Sequence, residues 1–132
     1  MGMKISPHVL ALWLRALRNG RYPQCKGSLR RPAGFCVLGL LCEVHRAEHG
    51  ELYRWGRAED AGGQCWHYQG ERYHLPDCVA AWAGLESVSP ALGEITGRDT
   101  VLLTAHNDIG KGVGFRELAD MIEAAAGEGV AA

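Results

Sequence analysis

Apolar residues recur at helical spacing in three parts of the chain. Val9, Leu10, Trp13, Leu14 and Leu17 follow Ser6-Pro7, with Arg15 and Arg18 on the other side. Recurrence at three, four and seven residues marks one buried face of a helix. The Ser6 hydroxyl suits an N-cap, Pro7 a first helical position and Gly20 a left-handed C-terminal cap. A helix over 7–19 is predicted. Val37, Leu38, Leu41 and Val44 predict a second over 36–49, ended by Gly50. Gly39 inside it costs about 1 kcal/mol against alanine, which a close helix crossing at that point would explain. Phe115, Leu118, Ala119 and Ile122, with Glu117, Asp120 and Glu123 outside, predict a third helix over 115–126, with a frayed tail from 127.

Between the second and third helices the pattern changes. Tyr53, Trp55, Cys65, Trp66, Tyr68 and Tyr73 are interleaved with glycine and polar residues, and Gly62-Gly63 and Gln69-Gly70-Glu71 read as turns. This predicts a small antiparallel hairpin or meander over about 51–75, with Trp55 and Trp66 as partners across it. Leu75-Pro76-Asp77 opens a short helix carrying Val79, Ala80 and Trp82. Residues 86–99 are rich in turn formers, with a short helix after Ser89-Pro90. Residues 100–105 read as a short strand and 106–112 as a loop. Residues 21–34 hold Pro23, Gly27, Pro32 and Gly34 and read as an irregular loop with a short extended piece. No repeat and no linker divides the chain. The expected architecture is a single α+β domain over 1–132.

A chain of 132 residues is long enough to bury a self-sufficient core. Its net charge of −1 excludes a polybasic nucleic-acid binder held by bulk charge, and equally an acidic DNA mimic. One local basic cluster remains, Arg18, Arg21, Lys26, Arg30 and Arg31, with Tyr22 and Gln24 among them. Arginines of this kind grip carboxylate or phosphate bidentately, and an aromatic side chain beside them can stack. The N-terminal apolar stretch is broken by Arg15 and Arg18 and has no cleavage-site pattern, so a signal peptide is not expected. No apolar run reaches the ~20 residues that span a bilayer. The five cysteines, Cys25, Cys36, Cys42, Cys65 and Cys78, are an odd number and call for no disulfide framework. A reducing cytoplasm is the expected compartment.

Residues in the first half and the last third carry a resemblance. Trp13 is followed by Ala16-Leu17-Arg18-Asn19-Gly20, Tyr22 and Gln24, then Leu29-Arg30, Phe35-Cys36, Leu38-Gly39 and Leu41-Cys42-Glu43. Leu75-Pro76, Asn107-Asp108, Gly110-Lys111 and the run Phe115, Leu118-Ala119-Asp120, Ile122 come later. This pattern resembles a group of small uncharacterised proteins encoded by bacteriophages and prophages. Two departures stand out: Val37 where the group often has a second cysteine, and Gly112-Val113-Gly114 as a short insertion. The missing cysteine argues against a shared Cys-Cys redox or metal chemistry. The resemblance implies a phage or prophage accessory protein. By analogy with such proteins, it implies a binder of a host protein, including inhibitors of host defence systems such as CRISPR.

Three functional readings follow from the residues. The first is a non-enzymatic, cofactor-free binder of a host protein, using Arg18, Arg21, Tyr22, Gln24, Lys26, Arg30 and Arg31, with the aromatic hairpin as a second surface. Nucleic acid ranks below protein as its partner, and no membrane is implied. The second is an enzyme or small-ligand binder using His106, Asn107, Asp108 and Lys111. Its polar side chains could hold an ion or activate water, but an Asx turn leading into the last helix explains them as well. The third is a zinc-stabilised module. Cys42, His45 and His49 share a helix face, Cys65 and His67 share a strand face, and His74 and Cys78 flank Leu75-Pro76. No Cys-x-x-Cys pair supports it. The alternative places Cys36 and Cys42 in the core and His45 and His49 on the surface at a helix end, so no metal site is expected. Cys36, at a helix start, is flanked by Phe35 and Val37, and burial is expected there rather than nucleophilic catalysis.

Overall fold

The computed structural model describes residues 5–85, 107 and 113–130. It is an α+β fold, as the sequence patterns indicate. Helix α1 spans Pro7–Arg18, with Val9, Trp13, Leu14, Ala16 and Leu17 buried. It ends as expected, with Gly20 left-handed at φ +75°. Its start differs from expectation. Ser6 occupies the N-cap position but makes no side-chain cap bond. Instead its backbone N–H donates to Ala83 O at 2.8 Å, tying the head of α1 to a later helix.

Helix α2 spans Val37–His49. Its N-cap is Cys36, whose sulfur accepts from Gly39 N–H at 3.3 Å. The thiol is therefore a buried cap, as its apolar neighbours imply. Trp13 crosses to this helix and donates from Nε1 to Val37 O at 3.1 Å. A single 3₁₀ turn over Gly50–Leu52 leads into the sheet.

Among the described residues the sheet has four strands, all antiparallel, in the order β2-β1-β4-β3. Strands β3 (Trp55–Asp60) and β4 (Gly63–Tyr68) form the expected hairpin. Its register places Trp55 opposite Tyr68 and Arg57 opposite Trp66, so the two tryptophans are diagonal neighbours on one face rather than direct partners. Strands β1 (Arg30–Arg31) and β2 (Gly34–Phe35) come from the segment read as an irregular loop. Backbone hydrogen bonds hold that segment. Cys25 N–H donates to Phe35 O (2.8 Å), Phe35 N–H to Pro23 O (3.0 Å) and Cys36 N–H to Leu29 O (3.0 Å). Two-residue strands lack the alternation that identifies longer ones, so backbone pairing alone defines them.

Helix α3 spans Asp77–Ala83 and buries Val79, Ala80 and Ala83. Helix α4 runs from Phe115 to Val130, past its expected end at 126. Gly127 and Gly129 lower helix propensity without forbidding the backbone ladder. Phe115, Leu118, Ala119, Ile122, Ala125 and Ala126 of α4 join the core formed by α1, α2 and α3. Expectations for 86–99, 100–105, 106 and 108–112 fall outside the described residues. Among the described residues no helix is long and apolar enough to cross a membrane.

Candidate functional site

The basic cluster of the sequence is not one surface. Arg18 reaches α4, donating to Asp120 Oδ1 at 2.7 Å and Glu123 Oε1 at 2.9 Å. Arg31 makes a bidentate pair with Asp60, at 2.8 and 3.1 Å, and donates to the carbonyls of Lys26 and Gly27. The Asp60 carboxyl is pulled down to about 2 by the Arg31 hydrogen bonds first and the Tyr73 hydroxyl second. Gln24 Nε2 donates to Asn107 Oδ1 and Val113 O, both at 2.7 Å. Tyr22 stands edge-on to Phe35 at 5.8 Å between centroids. Arg21 and Lys26 are exposed, and the Arg21 backbone N–H donates to Asn19 Oδ1. Of the residues expected to meet a partner, Arg18, Gln24 and Arg31 are thus engaged within the fold, Arg18 only through exposed surface ion pairs.

Arg30 is placed differently. Consecutive strand residues face opposite sides of a sheet, so β1 sends Arg30 one way and Arg31 the other. Arg30 lies opposite Phe35 in one strand pair and opposite Trp66 in the next. Its guanidinium carbon stands 4.8 Å from the Trp66 ring centroid, 5.0 Å from Phe35 and 5.5 Å from Trp55. Contacts within about 6 Å are attractive, because the ring quadrupole faces the cation. Among the described residues nothing accepts a hydrogen bond from this guanidinium. Burial lowers its pKa from the ordinary value, with the nearby Glu43 acting in the opposite sense. Glu43 itself is engaged, receiving Arg46 Nε at 2.7 Å, Arg46 Nη2 at 2.9 Å and Trp55 Nε1 at 3.0 Å.

The result is a half-buried aromatic floor carrying a cation whose donors are unused within the described fold. Trp55, Trp66, Phe35 and Glu43 were not singled out with Arg30 by the sequence. The available signal was hairpin alternation, which aligns Trp55 and Arg57 with Trp66 and Tyr68 on one face.

Asn107 was expected in a functional loop. Its backbone is helical and its side chain is fully buried. Its amide donates to Cys25 O at 2.8 Å and accepts from Gln24. Asn107 is thereby tied to the loop before β1, and these polar groups of its side chain serve packing. His106, Asp108 and Lys111 lie outside the described residues.

The zinc candidates do not assemble into a site. Among the described residues no three His, Cys, Asp or Glu side chains are placed to hold one ion. Cys42 is buried, and its thiol is pushed well up in pKa by that burial. His45, expected at the surface, is only 2% exposed. It hydrogen-bonds Tyr68 through Nδ1 at 2.7 Å and stacks on His49 at 4.1 Å. Tyr53 and Trp82 close around it at 4.6 and 5.0 Å. Spacing explains the burial: His45 stands four residues after Leu41 and seven after Leu38, on the stripe of the core.

Burial, and then the charge of His49, lower the His45 pKa from 6.5 to about 4. The fold therefore favours the neutral ring. Its contribution is complete above pH 6.5 and is lost as pH falls from there towards 4, where the unfolded chain binds a proton that the folded chain rejects. Urea unfolding at pH 7 and pH 4.5 should show a loss of about 2 kcal/mol from this group, after allowance for solvent screening. In His45→Gln the stability difference between those two pH values should shrink by that amount. An unchanged difference would refute the assignment.

A family model described as a domain of unknown function, DUF8296, matches residues 5–126. No curated protein matches the chain. No solved structure matches it. The matched span takes in α1 through most of α4, including the Arg30 platform, and the chain belongs to the DUF8296 family.

Proposed function

We propose that this protein is a phage or prophage accessory protein that binds a host protein without catalysing a reaction, with Arg30 and its aromatic floor as the contact. Inhibition of a host defence system, such as CRISPR, is the role proposed for that binding, and the host cytoplasm is its place. The observation that carries the reading is the Arg30 guanidinium, packed on Phe35, Trp55 and Trp66 and donating no hydrogen bond to any described residue. Protein interfaces concentrate Trp, Tyr and Arg at the positions that supply most of the binding energy. A guanidinium preorganised by ring stacking loses less side-chain entropy when a partner arrives.

The test is capture from host lysate with three tagged proteins: wild type, Arg30→Glu and Arg18→Glu. Wild type and Arg18→Glu should retain the same stoichiometric host protein. Arg30→Glu should lose it by more than about tenfold, since truncating a central contact of this type costs 2 kcal/mol or more. All three should share a circular-dichroism spectrum. Undiminished capture by folded Arg30→Glu would overturn the reading.

A further inference from the structure

The charges around Arg30 are unevenly balanced. Two guanidiniums, Arg30 and Arg46, share the neighbourhood of one carboxylate, Glu43. That carboxylate is already occupied by Arg46 and the Trp55 indole. Arg57, exposed on β3 directly opposite Trp66, adds positive charge beside the same ring. The site therefore carries an excess of cation over anion. Ring contacts satisfy the faces of a guanidinium, whereas its N–H groups lie in its plane and require acceptors.

We infer that a partner Asp or Glu carboxylate completes this site by pairing bidentately with Arg30, its methylene stem lying against Trp66. This inference rests on the host-protein reading and names the chemistry of that contact. A nucleic-acid phosphate is the competing anion, but tracking a phosphate backbone needs several uncommitted cations in a row. Arg18 and Arg31, which flank the segment, are neutralised by Asp120, Glu123 and Asp60. Single carboxylates presented by a folded or extended acidic protein segment match the geometry better.

The full chain is titrated with a short poly-glutamate peptide, acetylated and amidated at its ends, while the Arg30 Nε–H resonance and tryptophan fluorescence are followed. A poly-glutamine peptide and a short oligothymidylate serve as comparisons. Poly-glutamate should shift the Arg30 resonance saturably and bind at least about tenfold tighter than poly-glutamine, as charge-assisted bidentate pairing implies. Arg30→Gln should remove that preference, and Arg30→Lys should recover only part of it, since an ammonium cannot form the fork. Equal binding of the two peptides, or tighter binding of oligothymidylate than poly-glutamate, would overturn the inference. Should Arg30→Gln fail to fold, the wild-type resonance decides alone. Lost host-protein capture in Arg30→Glu without a poly-glutamate shift in wild type would refute the carboxylate and leave the host-protein reading standing. A poly-glutamate shift with undiminished capture would do the reverse.

Discussion

Alanine at Gly39 should lower the unfolding free energy by about 3 kcal/mol or more, although alanine is the better helix former by about 1 kcal/mol. The reason lies outside the helix. A Cβ at position 39 would overlap the backbone carbonyl of Leu29. That carbonyl is fixed, because it accepts Cys36 N–H at 3.0 Å while Leu29 N–H donates to Arg72 O at 2.6 Å. The Leu29 side chain is itself wholly buried, so the strand cannot retreat without opening the core. Glycine was expected here for a close helix crossing. The close approach is real, but its partner is the backbone entering β1. Urea unfolding of G39A measures it directly, and a loss below 1 kcal/mol would show that the segment yields.

Asn107→Ala should cost about 2–3 kcal/mol, the penalty for leaving buried polar groups without partners. The change removes the donor to Cys25 O and the acceptor of one Gln24 Nε2 hydrogen. Asn107→Asp should also destabilise, since it removes the donor to Cys25 O and buries a carboxylate. For a domain of this size the alanine change corresponds to roughly 6–15 °C in Tm. Host-protein capture at a temperature where the variant stays folded should match wild type. A stable Asn107→Ala variant with altered capture or ligand binding would instead place the residue in a functional site.

The helices were legible because their apolar stripes are long enough to show a period. The hairpin was legible from its turn glycines and aromatic alternation. The burial of His45 was present in the same period that marked Leu38 and Leu41, but the polar identity of the side chain pointed outward. The arginine cluster was misleading for a different reason. Its acidic partners lie 29, 102 and 105 positions away, at Asp60, Asp120 and Glu123, and sequence proximity among cations says nothing about distant anions. Nor does a two-residue strand announce which way each side chain faces. Arg30 and Arg31 look alike in the chain, and pairing with Phe35 and Trp66 is what tells them apart.

That pairing has a consequence for how the molecule can change over generations. Arg31 is tied to the carboxylate, turn and carbonyls beneath it, so substitution there is paid for in folding. Arg30 touches ring faces and donates no hydrogen bond to any described residue. Adjacent codons thus carry different structural constraints: one side chain is bound into the scaffold, the other leaves its donors to the outside.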